Sequence, residues 1–325
     1  MTKITVVIPN YNGIKFLQDC LQSLQEQISC TPEFKVMVVD NGSQDGSVEL
    51  VRKKYPQVEL EALSENTGFC HAVNIGIRKS RSPFVILLNN DTKVYPGFVA
   101  GLYRAIENNP KAFAVSAKML MWDKPEFVDD AGDRYCALGW AYSRGKGKPE
   151  GEYDRPVQIF SACGGAAIYR REVFEKIGLF DEVHFAYLED LDISWRAQIY
   201  GYKSFYEPSA KVIHYGSAST GSRYNEKKTV LAAANNVYVI GKNMPMFQKL
   251  LNLPFLVIGF FVKFLFFCRK GMGGLYLHGI LQGLKKLYSG EGRKKRIPFC
   301  PENFRSYLAI QGQLYLNLVR FLKKI

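Results

Sequence analysis

Three polar clusters in the first third of the chain each follow directly on a run of apolar, β-branched residues. They are Asn10-Tyr11-Asn12, Asp40-Asn41-Gly42-Ser43 and Asn89-Asn90-Asp91. The carboxylate of Asp40 can accept hydrogen bonds from a nucleobase or a ribose, and that of Asp91 is an oxygen ligand suited to Mg²⁺. Turns and helix N-caps use the same residue types, so each cluster alone is also compatible with a structural role.

Two further groups that could do chemistry come later in the chain. Glu189-Asp190 precedes a helical pattern at 191–200, and a carboxylate there could be the general base that deprotonates an attacking hydroxyl group. Carboxylates also stabilise helix N-termini, which is the structural alternative. His214 ends a strand-like stretch and offers an imidazole nitrogen as a second metal ligand, with a buried core histidine as the alternative.

Two common phosphate-binding loops are missing from the sequence. No GxGxxG follows the first predicted strand, and no GxxxxGK[ST] occurs. The phosphates of a bound nucleotide would then have to be neutralised in another way, for which a divalent cation is the usual solution. We therefore expect Mg²⁺ or Mn²⁺ beside Asp91.

The elements that must position these groups alternate between strands and helices over the first 90 residues. Short β-branched runs predict strands, and apolar residues at helical spacing predict the helices between them, as in 4–8, 14–27, 34–39, 47–55, 58–63, 69–80 and 84–88. This pattern predicts an α/β fold with a doubly wound, mostly parallel sheet flanked by helices. Ligands of such sheets bind beyond the carboxyl ends of the strands, where the three polar clusters fall.

The middle of the chain is less regular. A helix is predicted at 96–108 and strands at 114–121 and 211–214, whereas the Gly-, Asp- and Lys-rich segment 122–156 is expected to form loops over the cleft.

The seven cysteines form no CxxC pair, and Met1 leads directly into a strand without an apolar leader. These features favour a reducing, cytoplasmic compartment without disulfides.

The excess positive charge lies at one end of the chain. The formal net charge is +13, and residues 241–325 hold 15 Lys and Arg against only Glu291 and Glu302, which leaves residues 1–240 neutral. No nucleic-acid partner is expected, because the predicted catalytic part is uncharged overall. The apolar stretch 253–268 is short for a membrane span, so an interfacial or re-entrant helix on an anionic membrane surface is expected, with a buried core helix as the alternative.

Seven motifs occur in an order that resembles family 2 glycosyltransferases of the GT-A fold, in the rhamnosyltransferase-like subgroup. They are TVVIPNYNG at 5–13, VVDNGS at 38–43, ENTGF at 65–69, LLNNDT at 87–92, GGA at 164–166, GLFDE at 178–182 and EDLDISWR at 189–196. The resemblance covers residues 3–220. It implies an enzyme that moves a sugar from a nucleoside-diphosphate sugar and inverts the anomeric centre by direct displacement.

The resemblance also implies a nucleotide site. Pro9, Asn10 and Tyr11 would line the nucleotide pocket together with Asn66, and Asp40 would hold the base. The family's Asp-x-Asp motif falls on the third polar cluster. Asn89 replaces its first aspartate, so Asn89 and Asn90 would contact ribose or phosphate only as neutral amides.

For catalysis, the resemblance assigns the metal-binding carboxylate to Asp91 and the base to Asp190, with Glu189 beside it. His214 resembles the late histidine that completes the metal site in some family members. The loop at 164–166 would face the acceptor.

Together these inferences predict a glycosyltransferase domain at 1–240, with a nucleotide-binding half at about 1–95 and an acceptor half at 96–240, followed by a basic membrane-associating tail at 241–325. The expected partners are a dTDP-rhamnose or UDP-hexose donor, a glycan or lipid-linked glycan acceptor, and the inner face of the cell membrane, where the protein would be peripheral. A homo-oligomer is compatible with this prediction. The alternatives are a sugar-nucleotide nucleotidyltransferase and a non-catalytic membrane-associated scaffold of the same fold.

Overall fold

The structure is a computed structural model, and it describes residues 2–27, 32–216 and 225–323. The first part of the chain alternates as predicted. Its elements are β1 (Ile4–Asn10), α1 (Ile14–Gln25), β2 (Phe34–Asp40), α2 (Ser47–Lys54), β3 (Glu59–Ala62), α3 (Phe69–Lys79) and β4 (Phe84–Leu88). All five side chains of β4 are buried, as expected for a strand covered on both faces of a sheet.

The second part adds more strands than the sequence predicted. Its elements are β5 (Thr92–Val94), α4 (Phe98–Glu107), β6 (Ala112–Met121), β7 (Val128–Asp130), β8 (Asp133–Cys136), β9 (Trp140–Ser143), β10 (Val157–Ile159), β11 (Ala166–Arg170), α5 (Val173–Ile177), α6 (Glu189–Ile199) and β12 (Lys203–His214). Segment 122–156 was expected to form only loops, but it contains β7 and a β8–β9 hairpin. These strands are only three or four residues long, so they leave little pattern in the sequence.

The central sheet has the order β10-β12-β6-β11-β4-β1-β2-β3, with β5 and β7 paired to β12 and β6. Strands β3, β2, β1 and β4 are parallel, and β11 runs antiparallel between β4 and β6. One apolar core joins the sheet to α1, α2 and α4, and a second joins it to α3, α5 and α6. The predicted mostly parallel sheet flanked by helices is confirmed.

Among the described residues, five α-helices follow the sheet: α7 (Glu226–Asn243), α8 (Met246–Arg269), α9 (Gly273–Tyr288), α10 (Gly290–Lys294) and α11 (Phe304–Leu322). A third core ties α7, α8 and α11 to α6 and to the β8–β9 hairpin. The boundary predicted after residue 240 therefore lies inside α7, a helix that is packed against the sheet domain.

The apolar stretch predicted at 253–268 lies within α8, which is 24 residues long. By length and composition α8 could cross a membrane, although one such helix is weak evidence of a span. Only 17% of an apolar stretch of 18 residues in this helix is buried. Among the described residues α8 is thus an exposed apolar helix and does not match the alternative of a buried core helix.

Candidate active site

A cleft of about 740 Å³ opens at the carboxyl ends of β1 and β4. Ten of the eleven predicted site residues line it, although they come from five different parts of the chain. They are Pro9, Asn10, Tyr11, Asn66, Asn89, Asn90, Asp91, Glu189, Asp190 and His214. Strands β1 and β4 end at this edge of the sheet, and α6 begins there with Glu189 and Asp190 at its N-terminus.

Asp40 lies behind the cleft wall and is not among the lining residues. Its side chain is buried and accepts hydrogen bonds from Asn10 Nδ2 at 2.7 Å and from the backbone N–H of Ser43 at 2.8 Å. Asn90 Nδ2 donates in turn to Asn10 Oδ1 at 2.6 Å. Asn10 therefore ties together the ends of β1, β2 and β4, and the structure places Asp40 behind Asn10 and not at the surface of the cleft, where it was expected to hold the base.

The loop that carries Asn66 is fixed to the end of β2. Asn41 Nδ2 donates to Asn66 Oδ1 at 3.1 Å, and the backbone N–H of Thr67 donates to Asn41 Oδ1 at 2.9 Å. A Cβ on Gly42 would lie 2.7 Å from the backbone of Glu65, and its φ is +78°. Only glycine fits this close crossing of two chain segments.

Asp91 and His214 are brought together by strand pairing. His214 is the last residue of β12 and stands opposite Thr92 of β5 in the antiparallel register. Its Nε2 lies 3.5 Å from Asp91 Oδ1, and its Nδ1 lies 2.7 Å from Asp129 Oδ2. Burial opposes a charge on His214, but the hydrogen bonds to Asp129 and Asp91 outweigh it and raise the pKa of the imidazole to about 9.

Asp129 is a site residue that the sequence did not reveal. It lies in β7, and Lys146 Nζ contacts its other oxygen at 2.5 Å. Burial would raise the pKa of Asp129, but the hydrogen bond from His214 and the charge of Lys146 lower it to about 2. The one feature of the sequence that could have indicated Asp129 is the acidic pair at 129–130, which lies in a segment expected to form loops.

These residues fit a divalent cation. A carboxylate oxygen and a neutral imidazole nitrogen, 3.5 Å apart and both lining the cleft, are donors that Mn²⁺ and Mg²⁺ accept. A bound cation would take the place of the proton on His214 Nε2. Asp129 takes the outer position behind the histidine, where a carboxylate fixes the orientation of a metal-binding ring.

A second acidic group could also hold a metal by geometry alone. The ligand atoms of Asp181, His184 and Asp192 all lie within 4.8 Å of one another. Lys242 Nζ, however, lies 2.6 Å from Asp181 and 2.9 Å from Asp192, and Arg196 also pairs with Asp192. The two carboxylates thus already have cations, and the group is an ion-pair network that joins α7 to α6.

Glu189 and Asp190 differ in their hydrogen bonds. Asp190 Oδ1 accepts from the backbone N–H of Leu191 at 2.7 Å, whereas Glu189 Oε2 is buried without a partner among the described residues. Burial raises the pKa of both carboxyl groups, and the charge of Asp190 raises that of Glu189 further. Backbone donors favour the charged form of Asp190, so Asp190 ionises first and Glu189 keeps its proton.

The cleft also contains a carboxyl group that the sequence analysis did not select. Asp133, the first residue of β8, lines the cleft beside residues of β9. Burial and the neighbouring carboxylates of Asp130 and Asp190 raise its pKa well above the usual range. A protonated carboxyl group can donate a hydrogen bond to a hydroxyl group of a molecule bound in the cleft.

Comparison with known proteins identifies the family of the chain. A model of glycosyl transferase family 2 matches residues 5–178. An N-acetylglucosaminyl-diphospho-decaprenol L-rhamnosyltransferase of Mycobacterium tuberculosis is 30% identical over 245 residues, which are 67% of this chain and 78% of that protein. A poly-beta-1,6-N-acetyl-D-glucosamine synthase of Staphylococcus epidermidis is 23% identical over 64% of this chain and 48% of that protein.

Solved structures support the fold. The mannosyltransferase PcManGT from Pyrobaculum calidifontis, in complex with GDP-Man and Mn²⁺, superposes with a TM-score of 0.53 over 96% of this chain and 84% of that chain at 17% identity. GalNAc-T7 with UDP, GalNAc and Mn²⁺ gives a TM-score of 0.59 over 74% and 48% at 18% identity. The resemblance inferred from the seven motifs is confirmed: the chain is a glycosyltransferase that belongs to glycosyl transferase family 2 and is rhamnosyltransferase-like.

Proposed function

We propose that the protein is an inverting, metal-dependent glycosyltransferase that transfers a sugar from a nucleoside-diphosphate sugar to an acceptor hydroxyl group. The observation that carries this proposal is that Asp91, His214 and Asp190 face one cleft. A direct displacement needs a site that stabilises the leaving group and a base for the attacking hydroxyl group. The cleft offers candidates for both.

In this proposal each residue of the cleft has one task. Pro9, Asn10 and Tyr11 form the wall against which the nucleotide binds. Asp91 and His214 would hold Mg²⁺ or Mn²⁺, which when bound neutralises charge on the diphosphate leaving group. Asp190 takes the proton of the acceptor hydroxyl group as that oxygen attacks the anomeric carbon. Glu189, still protonated, adds no second charge beside it.

The relatives favour a donor and an acceptor class. The name of the Mycobacterium tuberculosis relative describes transfer of L-rhamnose to N-acetylglucosaminyl-diphospho-decaprenol, a lipid-linked sugar. We infer a dTDP-rhamnose donor and a lipid-linked acceptor in cell-surface glycan synthesis, with UDP-hexoses as the second donor class. The Staphylococcus epidermidis relative, a polysaccharide synthase by name, supports the same setting.

A lipid-linked acceptor also suits the surface beside the cleft. Ala141, Tyr142 and Ser143 of β9 line the cleft, and the neighbouring Trp140 donates from Nε1 to the carbonyl of Gly259 in α8 at 3.0 Å. The exposed apolar helix α8 therefore adjoins one wall of the cleft. We infer that the protein is peripheral on the inner face of the cell membrane.

A donor panel tests the proposal. Nucleotide sugars that bind the native protein should raise its Tm in the presence of Mn²⁺, and the donor identified in this way is then used in a transfer assay.

Asp190→Asn should lower kcat by about 10²–10⁴-fold and leave donor binding intact, because the amide keeps the shape of the carboxyl group. Asp123→Asn, on an exposed aspartate outside the cleft, is the control. Turnover of Asp190→Asn at the wild-type rate would place the base elsewhere.

A further inference from the structure

The backbone that leads into α6 is strained. Phe185, Tyr187 and Leu188 have φ values of +62°, +71° and +64°, in the region that favours glycine. Phe185 forms the centre of a rare γ-turn, in which the N–H of Ala186 donates to the carbonyl of His184 at 2.7 Å. Such a backbone conformation persists only where surrounding contacts hold it in place.

One side chain of α7 supplies those contacts. The carbonyl oxygens of His184, Ala186 and Tyr187 lie 3.0, 2.8 and 2.8 Å from Asn235 Nδ2. Asn235 is fully buried. Three carbonyl groups of the strained segment thus surround a single amide nitrogen, immediately before Glu189 and Asp190.

A lysine from a second helix holds the asparagine in turn. Lys286 Nζ of α9 donates to Asn235 Oδ1 at 2.8 Å and to the carbonyl of Val183 at 2.9 Å. This fixes which end of the Asn235 amide faces the segment. Lys286 is half-buried, and burial lowers its pKa. Its two hydrogen bonds fix its position between the segment and Asn235.

Side chains on one face of α7 also bind residues on both sides of this segment. Tyr238 and Lys242, three and seven residues after Asn235, bind Asp181 ahead of the segment, and Lys242 also binds Asp192 behind it. The spacing places all three α7 side chains on one side of the helix. Side chains of α7 therefore contact both the segment before α6 and the first turn of α6, which carries the proposed base Asp190.

We propose that Asn235 and Lys286 are positioning residues, which hold segment 183–188 in the strained conformation that aims Asp190 into the cleft. This rests on the proposed function only in that Asp190 is the base. The predicted donor-binding residues lie at the ends of β1 and β4 and on the loop of Asn66, whereas Asn235 bonds to His184, Ala186, Tyr187 and Lys286. Loss of Asn235 should therefore slow the chemical step without weakening donor binding.

The test compares Asn235→Ala, Asn235→Asp and Lys286→Met with the full-length wild type. A small misplacement of a reacting group can cost about a hundredfold in rate, so we expect kcat to fall by about that factor while the Kd for the donor is unchanged. Asn235→Asp should be the more severe change, because it turns a carboxylate oxygen toward three carbonyls. Asn252→Ala is the matched control, since Asn252 is a buried asparagine of α8 that bonds to Gln248 and Gln311.

Hydrogen–deuterium exchange provides a readout that does not need turnover. Amides of residues 183–191 should exchange faster in Asn235→Ala and Lys286→Met, and should be unchanged in Asn252→Ala. If the wild type turns over no nucleotide sugar, the proposed function fails and the exchange result alone decides on the positioning role. Unchanged exchange at 183–191, or wild-type kcat in a folded Asn235→Ala, would overturn the proposal.

Discussion

At the scale of single residues, the environment of Asp190 determines how the enzyme should respond to pH. Burial raises the pKa of this carboxyl group above the value of about 3.9 that is usual for aspartate. A general base acts only in its ionised form, so kcat should decline as the pH falls through the raised pKa. The expected result is an acidic limb at a higher pH than an exposed aspartate would give.

Steady-state rates with saturating donor across a pH series check this expectation. Donor binding measured over the same series is the control, because it separates protonation of the base from loss of the donor. A rate that stays constant down to the ordinary pKa of aspartate would show that Asp190 is not the titrating base.

The contact between Asp129 and His214 leads to a prediction about metal affinity. Asp129 holds the ring nitrogen of His214 that faces away from Asp91. Such outer carboxylates typically contribute 10- to 100-fold in metal affinity. Asp129→Asn should therefore weaken Mn²⁺-dependent nucleotide binding by about 10- to 100-fold, and His214→Ala should weaken it further.

Calorimetry of nucleotide binding at several Mn²⁺ concentrations measures this effect. Lys146→Met is a suitable control, because it removes an exposed partner of Asp129 and leaves the carboxylate and the histidine in place. Equal Mn²⁺ dependence in Asp129→Asn and the wild type would contradict the assignment of His214 to the metal site.

At the scale of elements, the contact between α7 and α9 depends on small residues. Gly279 and Gly283 are four apart in α9, and a Cβ on Gly283 would lie 2.4 Å from the carbonyl of Ala234. Gly283→Ala should separate the two helices and destabilise the protein by about 1–3 kcal/mol, as overpacking usually does. Chemical denaturation measures the change.

Gly274→Ala is the matched control for this prediction. Gly274 lies in the same helix, and a Cβ there meets nothing within 4 Å among the described residues. Since alanine is the better helix former, Gly274→Ala should be neutral or slightly stabilising. Equal stabilities of the two variants would mean that α9 can move away from α7 at no cost.

The elements also show how far sequence reasoning reaches. The alternation from β1 to β4 could be predicted because each strand and helix has a local pattern of apolar residues. The predicted strands in turn placed the polar clusters at the strand ends. Asp129 and Asn235 could not be predicted in this way. Asp129 meets His214 across 85 residues and Asn235 meets His184 across 51, and neither position has a local pattern that sets it apart from a turn or a helix surface.

At the scale of the whole molecule, charge and apolar surface are concentrated in the same region. The helices from α8 onward hold most of the excess basic residues, including Arg293, Lys294 and Lys295, which are exposed. The side of α8 that faces away from the protein exposes Leu250, Val257 and Phe261 at 64%, 60% and 58%. A surface of this kind fits an anionic membrane, where each basic residue contributes about 1 kcal/mol.

Substitution of the apolar positions tests this surface without removing any helix. The triple variant Leu250→Ser, Val257→Ser and Phe261→Ser should lose flotation with anionic liposomes, because each large apolar side chain contributes about 1.5–3 kcal/mol when it leaves water. Its stability in solution should change little, since these side chains are already exposed. A triple glutamine variant of the basic residues at 293–295 should instead float more weakly at low salt and should lose less flotation as salt is added, because the charges that salt screens are gone. Tyr200→Ser, which alters an exposed aromatic residue at the end of α6, is the control. Flotation of the apolar variant at the wild-type level would show that α8 does not contact the membrane, and would leave the lipid-linked acceptor without structural support.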